Sequence, residues 1–168
     1  KKIAFIIAPH DFRDEEYFQP KVILQAKGAQ ISTVAKGDPE EVTGSKGGKA
    51  HTDALMADVN PQTYDAIVLV GGPGVEEYFN DKVVLSLVKR FASEGKVIGA
   101  ICSAPTILAN AGVLDGKKVT SYEKDRSAIE EKGVTWIQEE VVVDQNIVTA
   151  TGPEVAIRFG EKVAEALS

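Results

Sequence analysis

This chain of 168 residues has one cysteine, two histidines, one tryptophan and one methionine. A single cysteine excludes any internal disulfide, which fits a reducing compartment, and the cytoplasm is the expected location. No apolar run approaches the roughly 18 residues that a membrane-spanning helix needs. Basic residues are the minority: 19 Lys and Arg face 25 Asp and Glu, for a net charge of −6. With no basic stripe to neutralise phosphates, nucleic acid is not an expected partner. The one dense glycine run, Gly71-Gly72-Pro73-Gly74, precedes no Gly-Lys-Ser/Thr and opens no helix on a third spaced glycine, so it does not fit the phosphate-cradling patterns. No metal and no cofactor is expected. Repeats, low-complexity tracts and linkers are also missing, so residues 1–168 read as one domain, long enough to bury a substantial core.

What is present is an alternation of apolar strands and amphipathic helices. The opening Lys1-Lys2 and apolar Ile3–Ala8 mimic a signal peptide, but the run is too short and acidic residues follow, so it reads as a first buried strand. A helix is expected at Tyr17–Lys27, ended by Gly28, then a strand at Ala29–Ala35. Residues 37–52, rich in Gly, Lys and Thr, read as a hairpin, and Asp53 as the cap of a short helical piece reaching Val59. Asp65–Val70 is a strand, Asp81–Glu94 a helix capped by Asn80 or Asp81, and Val97–Ile101 a strand leading to a helix from Pro105. A strand at Lys118–Ser121 and a charged helix at Lys124–Glu131 follow. Short strands are expected at Val134–Ile137, Glu140–Val143 and Ile147–Thr151, the last two joined by Asp144-Gln145-Asn146, before a final helix at Val155–Leu167. Strands alternating with helices of this length imply a mainly parallel sheet covered on both faces, with ligand chemistry at the carboxyl ends of its strands.

Three segments fall at such ends. Cys102 stands between an apolar strand and a helix, near N–H groups without intrahelical acceptors, where a thiolate is favoured and a depressed pKa is expected. A lone free cysteine is more often a small buried hydrophobe, but its neighbours favour a nucleophile. Gly71-Gly72-Pro73-Gly74 reads either as a simple turn or as a loop whose N–H groups, with that of Ser103, form an oxyanion hole. The acidic run Asp11-Phe12-Arg13-Asp14-Glu15-Glu16 reads as a solvated helix entry or as the source of a carboxyl that meets the thiol.

In order and spacing, Glu16 four residues before Pro20, Asp65–Gly72, Ala100-Ile101-Cys102, Val119-Thr120-Ser121-Tyr122 and Thr151-Gly152-Pro153 resemble the ThiJ/PfpI superfamily over nearly the whole chain. That superfamily includes PfpI-type intracellular proteases and the Parkinson-disease protein deglycase. The resemblance implies a flavodoxin-like three-layer sandwich with Cys102 on a strained nucleophile elbow. It implies Glu16 as the buried, protonated partner of the thiol, with Glu15 as its rival, and Gly72 and Ser103 as the oxyanion donors. It also implies a homodimer or higher homo-oligomer, for which the 41–51 hairpin could serve as a docking arm.

One departure narrows the chemistry. PfpI-type proteases look like Ala-Ile-Cys-His-Gly-Pro, whereas this chain has Ser103 and Ala104 after the cysteine. His10 follows the first strand and could lie near the cleft mouth, and His51 belongs to the hairpin. An absent imidazole base removes a factor of roughly 100 to 10,000 from amide hydrolysis. The expectation is therefore a stress-related, glyoxalase- or deglycase-like enzyme acting on small reactive carbonyls or their protein adducts. Cys102 is its nucleophile, Glu16 its proton donor, and Tyr122, His10 and Gly71 are further pocket candidates. The alternatives are a redox sensor working through Cys102 oxidation and a peptidase that borrows a histidine from elsewhere.

Overall fold

Five runs of β-branched and small apolar residues form the centre of the computed structural model, which describes residues 1–168. These are β1 (Lys2–Ile6), β2 (Gln30–Val34), β5 (Ala66–Leu69), β6 (Val97–Ile101) and β10 (Ile147–Ala150); β9 (Val141–Asp144) completes a six-stranded sheet. The order is β2-β1-β5-β6-β10-β9, with every pairing parallel except that of β9 with β10. Read over its parallel strands alone, this is the flavodoxin-like order, reversing direction between β1 and β5.

Alternate side chains serve opposite faces, as the pleat requires. From β1, Ile3 and Phe5 enter one core, followed by Ile7 just past the strand, while Ala4 and Ile6 enter the other; from β5, Ala66 and Val68 divide from Ile67 and Leu69 in the same way. The first core lies under α1 (Asp14–Ala26) and α5 (Ala156–Leu167), where Tyr17, Leu24, Phe159 and Val163 are buried. The second lies under α2 (Lys82–Ser93) and α3 (Pro105–Asn110), with Val84, Leu87, Phe91, Ile107 and Leu108 buried. Asp81 caps α2 as expected, accepting from the N–H groups of Val83 and Val84.

Several boundaries differ from the sequence expectation, each for a local reason. α1 begins at Asp14 instead of Tyr17, because Asp14, Glu15 and Glu16 suit the positive end of a helix and form its first turn. Asp53 does not cap the short helical piece at Met56–Asp58; its carboxylate accepts from the Thr33 N–H, and Asp38 accepts from Met56 instead. The expected 124–131 helix is a short 3₁₀ turn, Glu123–Asp125, followed by α4 (Arg126–Glu130). The strands expected at 118–121 and 134–137 shorten to β7 (Lys118–Val119) and β8 (Thr135–Trp136), which pair with each other in parallel.

The expected hairpin is present as β3 (Glu41–Thr43) and β4 (Lys49–His51). It folds back on its own chain: the Asp14 carboxylate accepts from the Lys46 and Gly48 N–H groups.

The segment after β7 is tied to the sheet by the fully buried Thr149, whose hydroxyl accepts from the Thr120 N–H at 3.0 Å. Thr149→Val keeps the shape and orphans that donor, a loss of about 1–3 kcal/mol. Denaturant unfolding should show the drop in unfolding free energy, and an unchanged midpoint would mean that the bond carries no stability.

Candidate active site

At the carboxyl ends of β1, β5, β6 and β10, next to the point where strand order reverses, lies a cleft of about 480 Å³. Its floor is Cys102, the residue directly after β6. The Cys102 backbone takes φ +64°, a left-handed conformation that costs a non-glycine residue about 1–2 kcal/mol. Two hydrogen bonds hold it there: the Cys102 N–H donates to the Ala150 carbonyl at 2.9 Å, and its own carbonyl accepts from the Tyr122 N–H at 2.8 Å. The thiol is thereby turned off the strand axis into the cleft, half-buried.

Beside it stands Glu16, from the first turn of α1. Its side chain is fully buried and neither carboxyl oxygen closes a hydrogen bond with any protein group. Burial pushes its pKa up to about 8, against the smaller opposing pull of neighbours that include Cys102, Arg13 and the Gly71 amide. Burial thus favours the neutral form of this carboxyl. Glu15 points elsewhere: the Arg13 guanidinium grips it in a fork, Nε to Oε1 at 3.0 Å and a terminal nitrogen to Oε2 at 2.9 Å. That pair holds the Glu15 carboxylate below its usual range. Consecutive helix residues point about 100° apart, so a single turn commits one glutamate to Arg13 and the other to the thiol.

The expected depressed thiol is not found. Burial pushes Cys102 up to about 12, and the charge of Glu16, when ionised, adds to the rise; the nearby Ser103 N–H acts in the opposite direction. The helix that was to supply a positive dipole, α3, has only six residues, and desolvation outweighs it. Burial thus acts on both groups in the same direction, favouring the protonated form of the sulfur and of Glu16.

The other expected residues divide. The Gly72 N–H meets no backbone acceptor and the Ser103 N–H points to the Cys102 sulfur, and both residues line the cleft. Gly72 adopts φ +116°, and a Cβ there would fall 2.4 Å from the Arg13 nitrogen, so no other residue fits. Gly71 is not on the cleft wall. It is wedged behind, where a Cβ would meet Glu16 Oε1 at 2.6 Å and the Cys102 Cβ at 2.7 Å; its absent side chain is what lets carboxyl and thiol approach. Tyr122 lines the cleft with a half-exposed ring. His10 does not line it: its ring bridges Asp11 at 3.0 Å and Glu77 at 3.1 Å on the surface. Hydrogen bonds, first to Asp11 and then to Glu77, raise its pKa. His51 is exposed on the hairpin near Glu41.

Sequence reasoning missed Arg13, Glu76, Lys124, Asp125 and Glu154 on the walls. Asp125 is the most engaged, accepting from the Ser103 hydroxyl at 2.6 Å, and burial raises its pKa. Nothing in its local pattern separates it from a solvated helix entry. Glu154 had a signal, since it directly follows the Thr151-Gly152-Pro153 mark.

A strained cysteine elbow, a buried carboxyl partner and a parallel sheet ending beneath them define the class of α/β proteins with a strand-end cysteine site. The pattern of the DJ-1/PfpI family matches residues 1–166, and the chain belongs to that family. It is 42% identical to the uncharacterized protein MJ0967 of Methanocaldococcus jannaschii, over 99% of this chain and 82% of the relative. It is 36% identical to the deglycase PH1704 of Pyrococcus horikoshii, over 90% of each chain. It is 29% identical to the glutathione-independent glyoxalase DJR-1.2 of Caenorhabditis elegans, over 99% of this chain and 89% of the relative. Among solved structures, the ThiJ/PfpI domain protein of Brachyspira murdochii superposes with a TM-score of 0.95 at 32% identity, covering 99% and 95% of the two chains.

The buried carboxyl makes stability depend on pH. Glu16 holds its proton more tightly folded, to about pH 8, than at its ordinary value of 4.5. Its contribution is thus complete below about pH 4.5 and is lost as pH rises through about 8, by about 1.4 kcal/mol per pH unit. Glu16→Gln lacks this proton, so the wild type should lose stability relative to the variant across that window. Parallel denaturation curves at every pH would contradict a neutral buried Glu16. Over the same range the thiolate ultraviolet absorbance, wild type minus Cys102→Ala, should stay flat; a rise near pH 7 would show an ionised sulfur.

Proposed function

We propose that this protein is a cysteine-dependent enzyme of the glyoxalase or deglycase kind, acting on small reactive carbonyls such as methylglyoxal or on their early adducts with protein. The observation that carries the reading is Glu16: a fully buried carboxyl with both oxygens unpartnered, neutral up to about pH 8, packed against a cysteine held on a strained turn. The names deglycase and glyoxalase among the relatives support it.

In this reading the Cys102 sulfur attacks the aldehyde carbon, and the carbonyl π pair moves onto oxygen. Glu16 gives its proton to that oxygen from one carboxyl oxygen and takes the thiol proton on the other. A thiohemiacetal results, and Glu16 ends protonated as it began. A raised thiol pKa is no obstacle, because the sulfur loses its proton as the C–S bond forms. The N–H groups of Gly72 and Ser103, at the cleft beside the sulfur, stabilise the oxygen while its charge develops. No histidine lines the cleft, so the amine of a peptide bond has no imidazole to protonate it as it leaves. An aldehyde needs no such step.

Methylglyoxal consumption tests the assignment. Cys102→Ala should abolish turnover, Glu16→Gln should lower kcat by roughly 100- to 10,000-fold, and Glu15→Gln should behave as wild type. Wild-type kcat should fall as pH rises through about 8, where Glu16 loses its proton. Turnover that survives Cys102→Ala, or that depends on Glu15 and not on Glu16, would overturn the assignment.

A further inference from the structure

Asp125 stands where a helix cap belongs and does not cap. It directly precedes α4, yet its carboxylate accepts from no N–H group of that helix. It is turned to the cleft instead, where Oδ2 takes the Ser103 hydroxyl at 2.6 Å and Oδ1 is left without a partner. Its backbone is fixed as well, since the Asp125 N–H donates to the Tyr122 carbonyl at 2.9 Å. Ser103 directly follows Cys102, so one hydrogen bond ties a half-buried carboxylate to the neighbour of the nucleophile. The other wall acids are held differently. Glu76 and Glu154 are exposed, and neither joins an ion pair. Burial raises the Asp125 pKa above its ordinary value of 3.8, and the Glu76 charge adds to the rise, while the Ser103 hydrogen bond and the Lys124 charge oppose it. A raised pKa makes the ionised carboxylate a stronger base.

The thiohemiacetal on Cys102 is not yet a product. In the adduct of a 2-oxoaldehyde, the carbon bonded to sulfur keeps its hydrogen, and release as a 2-hydroxy acid requires a base to take it. We propose that Asp125 is that base, with Ser103 holding its carboxylate beside the adduct. The inference rests on the carbonyl chemistry proposed above. Oδ1 takes the hydrogen as a proton, and the C–H pair becomes the double bond of an enediol. The ketone π pair moves onto its oxygen, which receives the Glu16 proton. Asp125 then returns its proton to the former ketone carbon. The hydroxyl on the sulfur-bearing carbon becomes a carbonyl and gives its proton back to Glu16. One carbon is oxidised and its neighbour reduced, so no outside oxidant or reductant is needed. Water cleaves the resulting thioester, the acid leaves, and the sulfur recovers its proton.

Methylglyoxal carrying deuterium on its aldehyde carbon, beside the undeuterated compound, tests the assignment. Asp125→Asn keeps an oxygen for the Ser103 hydroxyl but has no carboxylate to accept a proton. It should lower kcat by roughly 100- to 10,000-fold, while intact-protein mass spectrometry still finds one methylglyoxal added at Cys102. Its residual turnover should show a larger deuterium isotope effect than wild type, because C–H cleavage becomes the slow step. Wild-type kcat should also fall on the acid side, as pH drops through the raised Asp125 value, and Asp125→Asn should lack that limb. Wild-type speed in Asp125→Asn, an unchanged isotope effect, or an acid limb that survives the substitution would overturn the role of Asp125 and leave the proposed function standing. Loss of the Cys102 adduct in Asp125→Asn would overturn it too, since addition precedes the step assigned to this base. If wild type forms no adduct and consumes no methylglyoxal, the proposed function fails and this step falls with it.

Discussion

A carboxyl group removed from water, with only the Cys102 thiol and the Gly71 amide close beside it, is the constraint around which this site is arranged. Ionised burial would cost several kcal/mol, so Glu16 stays neutral to about pH 8, and a neutral carboxyl can both give and receive a proton. That arrangement survives only because the surroundings allow nothing else. Gly71 leaves no room for a screening side chain, Arg13 is occupied by Glu15, and the walls hold no lysine close enough to form a salt bridge with the buried acid.

The cysteine is strained for a related reason. A left-handed residue at the end of a strand would relax if its backbone were free, yet both its N–H and its carbonyl are bonded, one to β10 and one to the segment after β7. The two tethers come from parts of the chain distant from Cys102 in sequence: β10, its parallel neighbour in the sheet, and the segment after β7. Fold and site are therefore one construction: the strand order that buries two apolar cores also supplies the Ala150 carbonyl beside Cys102, and the segment after β7 adds the Tyr122 N–H.

Charge around the opening is organised as well. The chain carries a net −6, and several of those carboxylates stand along the cleft.

Much of this was legible in the sequence because it depends on local composition and order. Apolar runs alternating with amphipathic helices set a parallel, two-faced sheet, and a cysteine after Val97–Ile101 with glycines after Asp65–Val70 placed the chemistry at strand ends. What local pattern could not decide was where side chains meet. Glu15 and Glu16 are identical in type and adjacent; only the Arg13 fork, formed in the folded turn, commits one and leaves the other to the thiol. The sign of the thiol shift was equally hidden, since helix position suggested a lowered pKa and desolvation, a property of the packed interior, raised it to about 12. Asp125 reached Ser103, and His10 stayed outside, by contacts spanning distant segments or facing solvent. Sequence determined the strands and the candidate groups at their ends, because these follow from short-range stereochemistry and hydrophobic period, while the elbow was legible only through the family resemblance. Burial, charge pairing and backbone tethering belonged to the tertiary structure, because each is set by residues that the chain brings together only when it folds.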